Sequence, residues 1–235
     1  MFPIGDDNSD RRIQPVVNYA FIGINILVFL LLQQLGSNDA FTYAFSLVPK
    51  EITTGVDLTG IQVLRDSLGR TAEIQHYATP LPVYFNFLSS MFMHGDIMHI
   101  FGNMLFLWIF GDNIENRIGH FRYAVFYIMC GLAAAAGQII MGPDSIIPML
   151  GASGAISGVL GGYVLLFPRN PIKALLFNFL TTVPAFVAIG IWIVYQLVLG
   201  YLSPSGGGGV AYAAHIGGFV AGLALIRIFA LGRSD

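Results

Sequence analysis

Long apolar runs dominate this chain, and short polar or glycine-rich stretches separate them. A helix of about 20 apolar residues crosses the hydrocarbon core of a bilayer, which is about 30 Å thick. The pattern therefore predicts six membrane helices, with room for a helical lead-in from Pro82 ahead of the second. We place the six at about Val16–Leu35, Asp96–Gly111, Phe121–Met141, Ser153–Phe167, Ala174–Tyr201 and Ala211–Ala230.

The composition supports an integral membrane protein. Hydrophobic residues make up 55% of the 235 positions and charged residues 10%, whereas a soluble domain of this size needs more surface charge. The apolar runs are long rather than short and alternating, which argues against a β-barrel, so we expect an all-α fold in one domain. A net charge of −2 gives no sign of nucleic-acid binding, and a single cysteine excludes an intramolecular disulfide.

Basic residues decide the orientation of the six helices. One side of the membrane carries Arg11, Arg12, Arg117, Arg122, Arg169, Lys173, Arg227 and Arg233. The other side carries, all within the long first loop, Lys50, Arg65 and Arg70. Because positive residues concentrate on the cytoplasmic side, both termini are predicted to be cytoplasmic.

The expected organisation follows from this orientation. It comprises a cytoplasmic segment at 1–15, a six-helix domain at 16–231 with an outer loop at about 36–82, and a cytoplasmic tail at 232–235. The expected location is a bacterial inner (plasma) membrane.

Four polar residues fall at similar depth in this arrangement. Along their helices from the nearest cytoplasmic arginine, Ser153 lies about 24 Å, Asn103 about 21 Å and His215 about 18 Å away. His99 lies one turn above Asn103. Each has a plain structural explanation, since a buried histidine can bond a neighbouring helix and serine in a glycine-rich helix often mediates packing. Their convergence favours a functional site, because polar groups at this depth are costly.

These residue types suit nucleophilic catalysis. A serine hydroxyl becomes nucleophilic when a base removes its proton, and His215 can be that base for Ser153. Ser153 starts a helix, so free backbone N–H groups point toward the site. His99 and Asn103, four residues apart on one helix face, can add side-chain donors for an oxyanion.

The acid of a catalytic triad is missing. No carboxylate occurs between Asp144 and Asp235, so the helices of Ser153 and His215 carry none. Asp96 is expected to cap the second helix instead. The sequence therefore predicts a Ser–His dyad.

Three motifs in this order resemble the rhomboid family of intramembrane serine proteases. They are Gly-x-Ser-x at the start of the fourth helix, His-x-x-x-x-His-x-x-x-Asn on the second, and Ala-His-x-x-Gly on the sixth. The matching residues are Gly151, Ser153, Gly154, His94, His99, Asn103, Ala214, His215 and Gly218. The resemblance implies a rhomboid-like bundle with a Ser153–His215 dyad. It also implies an oxyanion hole formed by His99, Asn103 and the Ser153 amide, and cleavage of other proteins' transmembrane segments near the outer face.

The sequence departs from the family one turn after the nucleophile. That position is often Tyr or Phe in rhomboids, stacking on the catalytic histidine, and here it is Ser157. We hypothesise that the Ser157 hydroxyl, or a water it holds, orients His215 instead. Gly218 and Gly222 share a face with His215, so their helix is expected to pack closely against the glycine-rich fourth helix.

Supporting roles are expected for other residues near the site. Gly151 and Gly154 flank the nucleophile as structural residues, and His94 is expected to make structural bonds rather than touch substrate. The glycine-rich stretch Ser203–Gly209 is either a plain linker or, by resemblance, the loop over the active site.

Other function classes compete with a protease. The main alternative is a catalytically inactive rhomboid-like protein that binds membrane clients. A transporter or channel would favour a charged residue or broken helix at mid-depth, and a zinc metalloprotease needs His-Glu-x-x-His, which His94 and His99 do not form. No metal, cofactor or nucleic acid is expected, and the expected partners are transmembrane protein substrates and the lipid bilayer.

Overall fold

The computed structural model describes residues 2–65, 69, 71–176, 179–202 and 210–232, most of them helical. The elements, in chain order, are β1 (Phe2–Gly5), α1 (Val16–Leu27), α2 (Asp39–Ala44), α3 (Pro49–Thr54), β2 (Gly60–Arg65), β3 (Thr71–His76), α4 (Asn86–Ser89), α5 (Ile97–Phe106), α6 (Asp112–Ile118), α7 (His120–Met141), α8 (Ser153–Leu166), β4 (Pro171–Leu176), β5 (Phe179–Pro184), α9 (Ala185–Leu202) and α10 (Tyr212–Ala230). A π-helical turn extends α1 to Leu32, and another joins α5 to α6.

Apolar helices coincide in place with the six predicted ones. Among the described residues, those long and apolar enough to cross a membrane are Ile97–Ile118, His120–Met141, Ala185–Leu202 and Tyr212–Ala230. Two shorter apolar helices are Val16–Leu32 and Ser153–Leu166. The mostly helical membrane fold agrees with the sequence, while six crossings and the orientation of the termini stay predictions.

The second membrane helix is longer than predicted. It runs to Ile118 rather than ending at Gly111, although the added residues are largely polar. Partners outside the helix satisfy them: the Asp112 carboxylate pairs with Arg11. The buried Glu115 carboxylate accepts from two backbone amides at the start of α1, at 3.0 and 2.7 Å. Those amides have no partner inside their own helix, so Glu115 satisfies the first turn of α1.

Within the described residues, two small antiparallel sheets correct the all-α prediction. One is the hairpin β2–β3 in the long first loop, and the other pairs β1 with β4 and β4 with β5. The fifth predicted membrane helix, α9, therefore starts at Ala185 and not at Ala174. The segment before it contains β-branched Thr181, Thr182 and Val183 followed by Pro184, a composition that favours a strand ending at a proline.

Glycines bring α8 and α10 into backbone contact. A Cβ added at Gly222 would lie 2.0 Å from the Gly158 carbonyl oxygen, and one at Gly218 would lie 2.1 Å from the Gly154 carbonyl oxygen. On the other side of α8, a Cβ at Gly158 would lie 2.3 Å from that of Cys130 on α7. The close approach predicted from the small-residue faces is therefore present, and α8 lies buried between its neighbours.

The long first loop is hydrogen-bonded to the segment that leads to α8. Leu47 and Met149 exchange backbone hydrogen bonds of 2.9 and 2.7 Å, and the Lys50 amide donates to the Ser145 carbonyl at 3.0 Å. The Gly151 amide in turn donates to the carbonyl of Ser90 at 2.9 Å. These bonds fix the backbone immediately before Ser153.

Candidate active site

Ser153 is the first residue of α8, and the turn that delivers it depends on Gly151. Gly151 has φ +120°, a conformation that side chains other than glycine rarely adopt. A Cβ there would also lie 2.8 Å from Nε2 of His99 and 3.6 Å from Nδ2 of Asn103. The glycine therefore lets the backbone pass directly beside the two candidate oxyanion donors.

His215 lies in the first turn of α10 with its imidazole toward Ser153. Its Nε2 is 2.8 Å from the Ser153 Oγ, a hydrogen-bond distance. The two side chains come from different helices, and they meet because Gly154 and Gly218 let those helices touch backbone to backbone. A neutral imidazole at this distance can accept the serine proton.

The other ring nitrogen of His215 is bonded to a residue that the sequence analysis missed. Nδ1 lies 2.8 Å from the Oε1 of Gln196, and the rings of Trp192 and His215 lie 6.0 Å apart at 38°. The sequence did contain a signal for this residue. Gln196 is the one carboxamide in the apolar sequence of α9, and polar groups in membrane helices usually have a partner. What the sequence lacked was any indication that α9 faces α10 at this height.

The Ser157 hydroxyl does not contact His215, which corrects the direct contact hypothesised from the missing aromatic. Its hydroxyl donates to the carbonyl oxygen of Ser153 at 2.6 Å, the usual bond of a helical serine to the preceding turn. Both nitrogens of His215 are already engaged, by Ser153 and by Gln196. The aromatic ring near His215 is Trp192, supplied by α9 instead of α8.

Asn103 is held by His94. The Asn103 Nδ2 lies 2.9 Å from Nε2 of the fully buried His94. An amide nitrogen donates, so His94 Nε2 is the acceptor and the second Asn103 N–H remains to serve the site. Gln33 fixes the His94 backbone in turn, accepting from its amide at 3.0 Å and donating to its carbonyl at 2.7 Å.

His99 lies beside the same turn. The Asp96 carboxylate accepts from the His99 backbone amide at 2.8 Å, so the predicted cap of the second helix is confirmed. The ring Nδ1 accepts a long 3.5 Å bond from the Gly95 amide. A neutral ring in this state carries its proton on Nε2, the nitrogen nearest to Gly151.

The site residues thus surround one turn of backbone at the start of α8. Within the described part of the chain, no group of three histidine, cysteine or acidic residues could hold a metal ion. The stretch at 203–209, which resembles a loop over the active site, lies outside the described residues. The arrangement offers a hydroxyl, a base and N–H donors, which are the parts needed for acyl transfer.

Comparisons with known proteins agree with this architecture. The family model for the rhomboid domain matches residues 82–231, more than half of the chain. The chain is 29% identical over 218 residues to the mitochondrial Rhomboid protein 1 of Saccharomyces cerevisiae, covering 87% of this chain and 51% of that protein. It is 26% identical over 211 residues to Rhomboid protease GluP of Bacillus subtilis, covering 89% and 34%.

A relative named as inactive is also similar. The chain is 34% identical over 88 residues to Inactive rhomboid protein 1 of Drosophila melanogaster, covering 37% of this chain and 6% of that protein. The chain spans about half, or less, of the length of these relatives. The match over residues 82–231 contains Ser153, His215, His99 and Asn103, and on its extent the chain belongs to the rhomboid family of membrane proteins.

Proposed function

We propose that this protein is an intramembrane serine endopeptidase that cleaves the transmembrane segments of other membrane proteins. The observation that carries the proposal is the 2.8 Å contact between His215 Nε2 and Ser153 Oγ, built by the glycine contact of α8 and α10. Membership of the rhomboid family, which includes a relative named as a protease, supports it.

The proposed chemistry is acyl transfer in two steps. His215 Nε2 takes the Ser153 proton as Oγ attacks the peptide carbonyl carbon, and then gives that proton to the leaving amine. Water deprotonated by His215 next attacks the acyl-enzyme, releasing the new carboxyl group and restoring the Ser153 hydroxyl. In both steps the negative oxygen is stabilised by N–H donors from His99, Asn103 and the Ser153 backbone amide.

The membrane arrangement is part of the proposal. Six helices cross the bilayer within 16–231, the segments 1–15 and 232–235 are cytoplasmic, and Ser153 lies near the outer face. The asymmetry of the basic residues supports this orientation. A bacterial plasma membrane stays a prediction, because the relatives include mitochondrial, plant and bacterial proteins.

A catalytically inactive protein that binds membrane clients is the second candidate function. Similarity to a relative named as inactive favours it. The protease is the better-supported candidate, because both the serine and the histidine are present and in hydrogen-bond contact.

Labelling with a fluorophosphonate probe tests the proposal. We expect the purified protein in detergent to be labelled, and Ser153→Ala and His215→Ala to lose the label while melting within a few degrees of the wild type. Ser157→Ala is the matched control, because it removes a hydroxyl one turn away that does not contact His215. Absence of labelling in the folded wild type, or equal labelling of Ser153→Ala, would exclude Ser153 as an activated nucleophile.

A further inference from the structure

Helix α9 holds His215 by two side chains. Trp192 and Gln196 are four residues apart and therefore share a helix face. The Trp192 ring lies 6.0 Å from the imidazole at 38°, and Gln196 Oε1 lies 2.8 Å from Nδ1. Gln196 is buried, with 7% of its surface exposed. This face of α9 thus places a hydrogen-bond partner and an aromatic ring beside the imidazole.

The hydrogen bond to Gln196 determines which ring nitrogen carries the proton. An amide oxygen can only accept, so with Oε1 of Gln196 facing the ring, Nδ1 is the protonated nitrogen whenever the ring is neutral. The lone pair then lies on Nε2, the nitrogen 2.8 Å from Ser153 Oγ. This is the tautomer that a general base facing the serine requires.

We propose that Gln196 is a positioning residue that fixes the tautomer and orientation of His215, the place taken by a carboxylate in a Ser-His-Asp triad. An amide takes this place because the chain has no carboxylate between Asp144 and Asp235, the part that contains α8, α9 and α10. A neutral amide orients the ring without adding a buried charge in the membrane, where charge is costly. The kinetic consequences rest on the proposed function, whereas the tautomer can be observed without turnover.

Two substitutions at Gln196 separate positioning from packing. Gln196→Met keeps the length and volume but loses the acceptor, whereas Gln196→Glu keeps an acceptor oxygen and places a charged or protonated acid in the membrane. If Gln196 positions His215, we expect Gln196→Met to lower kcat by about 10²-fold, the scale of a misplaced catalytic group, with little change in KM. Gln196→Glu should retain much more of kcat than Gln196→Met. A packing role predicts the reverse order, because Met fits and a buried acid does not.

Gln138→Met is the matched control. The Gln138 Oε1 accepts from the backbone amide of Ala214, next to His215, at 3.2 Å and does not touch the imidazole. Its loss removes a glutamine hydrogen bond to the same helix and should lower the melting temperature without a comparable fall in kcat. Equal kcat losses in Gln138→Met and Gln196→Met would overturn the positioning role.

Nitrogen-15 NMR of histidine-labelled protein in detergent gives a readout that needs no substrate. We expect the neutral His215 of the wild type to show a protonated Nδ1 and an unprotonated Nε2, and Gln196→Met to show a mixture of both tautomers. An unchanged tautomer in Gln196→Met, or a protonated Nε2 in the wild type, would overturn the inference. If the tautomer shifts but the wild type neither cleaves nor labels, the proposed function fails while the role of Gln196 in fixing the ring stands.

Discussion

Each candidate site residue around Ser153 is positioned by a contact with one neighbouring residue. Gly151 admits His99 beside the turn, His94 holds Asn103, and Gln196 holds His215. The sequence motifs predicted the candidate nucleophile, base and donors. They did not predict Gln196, because a hydrogen bond between helices depends on which helices are neighbours and at what height.

Replacing Asn103 tests the oxyanion donors at this scale. We expect Asn103→Ala to lower turnover by about 10²–10³-fold, the usual effect of losing one donor. It should also lower stability by about 1–3 kcal/mol, because Nε2 of the buried His94 loses its partner. Turnover is measured with a transmembrane reporter and stability by thermal unfolding. Ser157→Ala serves as control, and Asn103→Ala turning over as fast as that control would remove Asn103 from the oxyanion hole.

At the scale of helices and strands, the sequence predicted the long helices and their closest contact but not the hairpin β4–β5 or the full length of the second helix. Apolar runs predicted the centre of each long helix, and the glycine faces predicted the contact of α8 with α10. The hairpin β4–β5 escaped prediction because its apolar residues continue the membrane pattern of α9, and only the strand pairing satisfies its backbone. The continuation of α5 into α6 was not predicted, because the polar residues of α6 are paired with residues distant in sequence, such as Arg11.

Separating α8 from α10 should disable the site from a distance. A Cβ at Gly222 would lie 2.0 Å from the Gly158 carbonyl oxygen, two turns from His215. We expect Gly222→Ala to push the helices apart, to lower thermal stability by about 1–3 kcal/mol and to reduce fluorophosphonate labelling. Gly190→Ala is the matched control, because Gly190 lies in α9 with no atom within 4 Å of the added Cβ. Equal labelling of the two variants would contradict a site built by this contact.

At the scale of the whole molecule, the N-terminal segment is bound into the bundle. Strand β1 pairs with β4, and the Asp6 carboxylate accepts hydrogen bonds from Tyr163 and Asn113. At the same end, Arg122 donates to the carbonyls of Phe229 and Leu231 at 3.0 and 2.8 Å, fixing the end of α10. None of these contacts could be inferred from the sequence, because each joins residues more than a hundred positions apart.

Asp6 gives the molecule a predicted pH dependence. Burial raises the pKa of Asp6 from 3.8 to about 7 in the folded protein. Between about pH 4 and pH 7 the folded state therefore retains a proton that the unfolded chain has lost, so this contribution to stability decreases as the pH rises. We expect the unfolding free energy of the wild type to fall relative to that of Asp6→Asn between pH 5 and pH 8, by about 3 kcal/mol. Parallel pH curves for the two proteins, measured by thermal unfolding in detergent, would contradict a buried, protonated Asp6.

Cleavage in a reconstituted bilayer tests the central claim most directly. Wild-type protein and Ser153→Ala are placed in liposomes with a single-span reporter whose transmembrane helix has small residues near its outer end, and the fragments are identified by mass spectrometry. We expect the wild type to cut within or at the outer edge of the transmembrane segment and Ser153→Ala to leave the reporter intact. Identical fragments from Ser153→Ala, or an intact reporter with wild-type protein that accepts the fluorophosphonate, would contradict an intramembrane protease that uses Ser153.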